Sequence, residues 1–238
     1  MRIGVEGTLS RRRFLMGLGL GATALGAGCS SLGSRARVVM QPMLGGTGGS
    51  YGAPGQYAAM YGPITDHGYN IPAVDLRRVD PRFYRQEVVD PTGEAPGTIV
   101  IDTAGRFAYL VQPGGRAMRY GVGIGREGFA WGGRAKIQYK KVWPTWTPPS
   151  EMIARQPELA QYADGMQPGL TNPLGARALY LFEDGRDTLY RLHGTPEYWT
   201  IGKAVSSGCV RFMNHDIIDL YSRVPAGTPV IVSQSGIA

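Results

Sequence analysis

Two cysteines and three histidines in 238 residues leave little material for a disulfide framework or for a metal centre. No run of Gly-X-Y triplets exists, which excludes a collagen-like chain. A strongly apolar stretch of about 20 residues is also missing, so the chain carries no ordinary transmembrane helix. Apart from Arg11-Arg12-Arg13 there is no dense basic run, and the positive charge of the body is scattered. The net charge of +7 falls to +4 once the first 28 residues are set aside, leaving twenty-one basic against seventeen acidic residues. That pattern speaks against a nucleic-acid partner. What the chain has in excess is glycine, 36 residues or about 15% against roughly 7% on average. Such an excess argues against a helical bundle and for a turn-rich β protein. With 43% hydrophobic residues the chain can build one domain of roughly 100–200 residues plus extra segments.

The first thirty residues read as an address. Ser10-Arg11-Arg12-Arg13-Phe14-Leu15 precedes a stretch without charge up to Arg35, rich in Gly and Ala and only mildly apolar. The arrangement resembles a twin-arginine export signal, which implies a bacterial protein moved to the periplasm already folded. Cys29 follows Leu25-Gly26-Ala27-Gly28, similar to a lipoprotein cleavage box except that the leucine stands one place early. Cys29 is then either removed or acylated, and the only membrane contact expected is a lipid anchor there. In both cases Cys209 stays a thiol in an oxidising compartment, where it must be buried or used.

Three regions follow from composition. Residues 1–29 are the signal. Residues 30–96 read as a Gly/Pro-rich linker and extended arm, with Gly45-Gly46-Thr47-Gly48-Gly49-Ser50 at the centre of the linker and Pro72, Pro81, Pro91 and Pro96 in the arm. Residues 97–234 change character. Short β-rich runs at Thr98–Asp102, Phe107–Val111, Ala117–Val122, Ala135–Lys140, Ala178–Phe182, Thr188–His193 and Pro229–Ser233 are separated by glycine turns. Two helices interrupt them, one capped by Ser150 and running to about Tyr162, one capped by Asn214 and ended by Pro225. The expected class is mainly β, a mostly antiparallel sandwich or barrel-like domain with two or three short helices.

His193-Gly194-Thr195 and the Ser206-Ser207-Gly208-Cys209-Val210-Arg211 stretch, whose Cys209 lies sixteen residues after His193, carry the chemistry. A thiol must lose its proton to attack a carbonyl, and a nearby imidazole can take it. Gly208 lets the backbone turn so that amides at Gly208 and Cys209 face a developing oxyanion. On residue types alone, a buried cysteine beside an unrelated histidine remains open.

These residues closely resemble the signature of the L,D-transpeptidases, the YkuD-type catalytic domain. The resemblance also takes in Asn172-Pro173-Leu174-Gly175, Arg177-Ala178-Leu179-Tyr180 and Ile218-Asp219-Leu220-Tyr221, and covers roughly residues 97–234. One departure is Ser207, where many members carry a second histidine; it leaves His193 as the base. The resemblance implies a cell-wall enzyme without a cofactor or a metal. Cys209 would attack the third-residue carbonyl of a peptidoglycan tetrapeptide stem, releasing D-Ala and forming a thioester. His193, oriented by the Gly194 carbonyl, would move the proton. Arg211 would meet a stem carboxylate, with Ser206, Ser207, Tyr180 and Trp199 on the substrate side. An amine on a second stem or on an outer-membrane lipoprotein would resolve the thioester, and carbapenems would acylate the same thiol. Two rivals stay open: a carboxypeptidase or endopeptidase that uses water at this site, and a non-catalytic wall-binding module.

Other features weigh less. His67 and His215 read as bystanders. Trp143-Pro144-Thr145-Trp146 reads as packing or lid more than as groove wall. Gly121-Val122-Gly123-Ile124-Gly125 lacks the strand–helix context of a dinucleotide loop and is rejected.

Overall fold

Where polar and apolar residues alternate, the chain pairs into one large sheet. The computed structural model describes residues 54–125, 131–206, 208–234 and 236–237. In chain order its elements are α1 (Pro54–Met60), β1 (Ile64–Asp66), β2 (Tyr69–Ile71), β3 (Gln86–Val89), β4 (Ile99–Asp102), β5 (Phe107–Gln112), β6 (Arg116–Gly121) and β7 (Ile124–Gly125). There follow β8 (Gly133–Val142), α2 (Ser150–Arg155), β9 (Arg177–Glu183), β10 (Arg186–Thr195), β11 (Ala204–Ser206), β12 (Val210–Met213), α3 (Asn214–Arg223) and β13 (Pro229–Ser233). Single 3-10 turns lie at Leu76–Arg78, Pro81–Phe83, Pro157–Tyr162 and Tyr198–Thr200. The expected signal, the Gly45–Ser50 stretch and Cys29 lie outside the described residues.

Nine strands form the main sheet in the order β12-β10-β9-β8-β13-β4-β5-β6-β3. The pairs β13–β4 and β10–β12 are parallel, the rest antiparallel. The fold is mainly β, as the sequence leads one to expect, but it is a mixed sheet and not a closed barrel. It curls instead. Just beyond β6, Gly123 exchanges two backbone hydrogen bonds of 2.9 Å with Arg211 on β12, so the two ends of the curl touch. One face of the curl holds Ile99, Ile101, Ile137, Leu179, Leu181, Leu192, Val210 and Phe212, packed on Ile217 and Leu220 of α3. Fully burying each such side chain is worth roughly 1.5–3 kcal/mol.

Residues 54–70 are not a linker, and 71–96 do more than lie across the surface. Tyr57 and Tyr61 of the first segment pack with Val79, Phe83 and Tyr84, and with Ile201 and Met213 of the domain. The β1–β2 hairpin is fastened by Asp66, whose carboxylate takes both ends of the buried Arg177 guanidinium at 2.7 Å and the Trp143 indole N–H at 2.7 Å. β3 adds an edge strand to β6. Two glycines accept this docking, because a Cβ on Gly121 or Gly202 would overlap Phe83.

Two helix expectations need correcting. Ser150 is the first residue of α2 and gives no capping bond. The helix ends at Arg155 because Pro157 lacks an N–H and holds Gln156 extended (φ −137°), so the rest of the stretch is a 3-10 turn. Asn214 does not cap α3 either. Its Oδ1 accepts from the Ala176 amide at 2.9 Å, spending the side chain on the turn that leads into β9.

Candidate active site

The parallel register of β10 and β12 sets Leu192 against Val210, and His193 against Arg211. Side chains on a strand alternate between faces. Leu192 and Val210 are fully buried in the core, so His193 and Arg211 point to the opposite face. Two residues before His193 on β10, Arg191 falls on that same face, and Cys209 precedes β12 by one residue, close to the Arg191 amide. The next strands continue both rows. Tyr139 on β8, Tyr180 on β9 and Arg191 are in register, and so are Lys141, Ala178 and His193.

His193 is 5% exposed. Its Nδ1 lies 2.6 Å from the Gly194 carbonyl. A carbonyl oxygen only accepts, so Nδ1 carries the hydrogen and Nε2 keeps its lone pair. Burial pushes the imidazole down to about 4; the Gly194 carbonyl works against this, and the Arg211 and Arg191 charges add to it. At neutral pH the ring is therefore an uncharged base. Gly194 has no room for a side chain, since a Cβ would run into Asn214 Oδ1. The residue that fixes Ala176 thus also bears on the backbone that orients His193.

Cys209 sits half-buried in the turn ahead of β12, after Gly208 with φ +128°, a backbone suited to glycine. Its thiol donates to the Leu189 carbonyl at 3.9 Å. Burial pushes the thiol up; the Arg191 amide and the Arg191 and Arg211 charges pull it down, and Asp187 adds to the rise. The pair accordingly rests as thiol and neutral imidazole. Leu189 owes its position to a bulge in β10, where the register shifts between Asp187 and Arg191. At φ +63° Leu189 is a strained non-glycine residue. Asp187 holds the bulge: Oδ1 accepts from the Leu189 amide at 2.8 Å, and both carboxylate oxygens take the Arg191 guanidinium at 2.7 and 2.8 Å.

The other predicted residues divide. Tyr180 stands between Arg191, whose guanidinium lies 4.4 Å from its ring centre, and Tyr139, stacked at 4.3 Å and 20°. Tyr180 is thus on the thiol's side of the sheet. Arg211 pairs with Glu197 at 2.9 Å. Trp199 packs against Tyr198 and the Arg78 guanidinium, which joins it to the N-terminal segment. Ser206 ends β11, paired with Gly125, and Ser207 lies outside the described residues. Trp143 is buried against Tyr69. His215 is buried in α3 with Nε2 2.7 Å from the Gly62 carbonyl, and His67 sits in the β1–β2 turn. Among the described residues no three His, Cys, Asp or Glu side chains gather to hold a metal ion. Sequence reading missed Arg191, Asp187 and Tyr139. The alternation of Thr188–His193 already places residue 191 on the histidine's face, a signal that could have found the first.

Comparison with known proteins bears on the same residues. Residues 96–232 match the family model of the L,D-transpeptidase catalytic domain, YkuD. The probable L,D-transpeptidase YbiS of Escherichia coli (strain K12) is 35% identical over 150 residues, 61% of this chain and 47% of that protein. YcfS of the same strain, also a probable L,D-transpeptidase, is 36% identical over 140 residues, 56% of this chain and 42% of its own length. The chain therefore spans about half the length of the curated relatives it matches. Among solved structures, a Brucella melitensis protein described as a probable carnitine operon oxidoreductase is 47% identical. The match covers 67% of this chain and 99% of that one, with a TM-score of 0.46. An L,D-transpeptidase from Mycobacterium smegmatis is 20% identical over 57% of this chain and 58% of its own, with a TM-score of 0.42.

Proposed function

The chain belongs to the L,D-transpeptidase (YkuD) catalytic-domain family, and from that premise we propose that it is a cysteine-dependent acyltransferase acting on peptidoglycan stem peptides. The observation that carries the reading is the parallel β10–β12 pair, with a neutral Nδ1–H imidazole on β10 and the Cys209 thiol in the turn that opens β12. The Cys209 proton passes to His193 Nε2 as Sγ bonds to the third-residue carbonyl carbon of a tetrapeptide stem. Amides at Gly208 and Cys209 hold the oxyanion. Collapse breaks the bond to D-Ala, whose nitrogen takes the proton back from Nε2, and leaves a thioester on Sγ. An acceptor amine then gives a proton to Nε2, attacks the thioester carbon and expels the thiolate, which the imidazolium reprotonates.

Arg211 receives a stem carboxylate in this reading, exchanging Glu197 for it. Tyr180 stands on the same side, and Ser206 and Ser207 enter the reading as substrate-side residues through the sequence motif alone. The twin-arginine pattern supports export to the periplasm, and Cys29 supports a lipid anchor for a chain so exported. The acceptor is the amine of a second stem or of an outer-membrane lipoprotein.

The test is incubation of the purified protein with disaccharide tetrapeptides, with products read by mass spectrometry and Cys209→Ala as control. Dimers joined through two third-position residues, absent from the control, are the expected outcome. Tripeptides alone would make the enzyme a carboxypeptidase. No thiol-dependent product with stems or with a lipoprotein acceptor would leave a wall-binding module.

A further inference from the structure

One register row, Arg191, Tyr180, Tyr139, leads away from β12, which Cys209 precedes by one residue. Adjacent strands lie about 4.7–4.9 Å apart, so Tyr139 on β8 stands roughly 14 Å from β12, at whose start Cys209 sits. The row is built as a stack. Arg191 covers one face of Tyr180 at 4.4 Å and Tyr139 covers the other at 4.3 Å, which leaves Tyr180 only 8% exposed. Tyr139 ends the stack and is 39% exposed. No strand continues the row past it, because β13 pairs with β8 only over Gly133–Lys136. The Lys141 ammonium lies beside both rings, 6.0 Å from the centre of Tyr139 and 5.6 Å from that of Tyr180. An open aromatic face with a hydrogen-bond donor at its edge is the usual recipe for holding a pyranose, whose C–H face is apolar and whose rim is polar.

We propose that the exposed face of Tyr139, with Lys141 beside it, is a glycan subsite that takes the pyranose ring of the amino sugar carrying the donor stem. The inference rests on the donor-stem reading above and extends it from the peptide to the sugar. The reach agrees. Three stem residues between the attacked carbonyl and the sugar span at most about 10–11 Å when extended, and the linkage to the ring adds a few more. The site selects donors that are still attached to glycan over released peptides.

Binding to the Cys209→Ala protein separates this from turnover. Calorimetric titration with a disaccharide tetrapeptide and with the free tetrapeptide gives a ratio of dissociation constants. That ratio should be about tenfold in favour of the disaccharide. It should collapse to about one in Tyr139→Ala and persist in Tyr139→Trp, which keeps a ring face in place. A ratio of one in the parent protein overturns the proposal, as does a ratio that survives Tyr139→Ala or is lost equally in both variants. Binding of neither ligand overturns it too. Failure of the acyltransfer reading would look different: no cross-linked product from the active protein while the binding ratio stands.

Discussion

His193 and Arg211 face each other across the parallel β10–β12 ladder, and that single pairing determines what surrounds the thiol. It sets Cys209 beside Arg191 two residues back, and the bulge ahead of Arg191 then supplies the carbonyl that the thiol touches.

If His193 is the base, as proposed, it should stay active in acid. His193 must be neutral to accept the thiol proton, and a group is neutral above its pKa. Since burial brings that pKa to about 4, against an ordinary value near 6.5, the acid limb of Cys209 acylation should fall near pH 4. The rate of acylation by a carbapenem, followed from pH 3 to 8, checks this; a limb at 6.5 would contradict it. His193→Gln should lower the rate by about 10²–10⁴-fold at pH 7.

Arg191 and Asp187 should move the thiol in opposite directions. The Arg191 cation favours the thiolate and the Asp187 anion disfavours it. Arg191→Met should therefore shift the midpoint of Cys209 alkylation by iodoacetamide to higher pH, and Asp187→Asn to lower pH. Two shifts of the same sign would show that only the bulge geometry, and not the charges, acts on Sγ.

Removing Asp66 should cost about 3 kcal/mol or more, because it strands the buried Arg177 guanidinium. The Arg177 hydrogen bonds hold the Asp66 pKa below its usual range. Its contribution is thus present above about pH 4 and fades as pH falls through the folded value. Denaturant unfolding of Asp66→Ala at pH 7 and at pH 3 measures both statements, and the deficit should shrink at pH 3.

Asp216 should behave in the reverse sense. It is fully buried in α3, with Tyr61 Oη at 3.3 Å and Arg85 Nη1 at 3.8 Å. Burial raises its pKa from 3.8 to about 7, although Arg85 opposes this. The unfolded chain gives up this proton first, so stability declines as pH rises from 4 to 7. Asp216→Asn should remove that slope and raise the melting temperature at pH 8. A wild-type melting curve independent of pH over this interval would refute the assignment.

Much of the sheet was legible. β4–β6, β8–β10 and β13 announce themselves as short β-rich runs between glycine turns, some alternating and some continuously apolar, and the His193 and Cys209 motif points to a candidate site. The docked N-terminal segment was not legible. Tyr57, Tyr61 and Phe83 are buried against residues far along the chain, and a Gly- and Pro-rich stretch without local period looks like tether. β3 carries Gln86 and Glu87 because it is an edge strand with one partner. Tyr139 escaped because its row depends on irregularities at Ile137/Tyr139 and Asp187/Arg191, which shift register without any mark in residue type. Asn214 looked like a cap, a sound reading of its type, but a backbone amide 38 positions away takes its oxygen.

The docking of residues 54–89 means that the smallest stable piece of this protein is larger than the span its family shares. Truncation at residue 96 would strip β6 of its neighbour and leave a bare edge ready to pair with another chain. It would also strand Arg177 next to the loop that leads into β9, and open the slots at Gly121 and Gly202 that Phe83 fills. Shortened versions should therefore aggregate before they can be assayed, and a missing activity in them would report on the cut and not on Cys209.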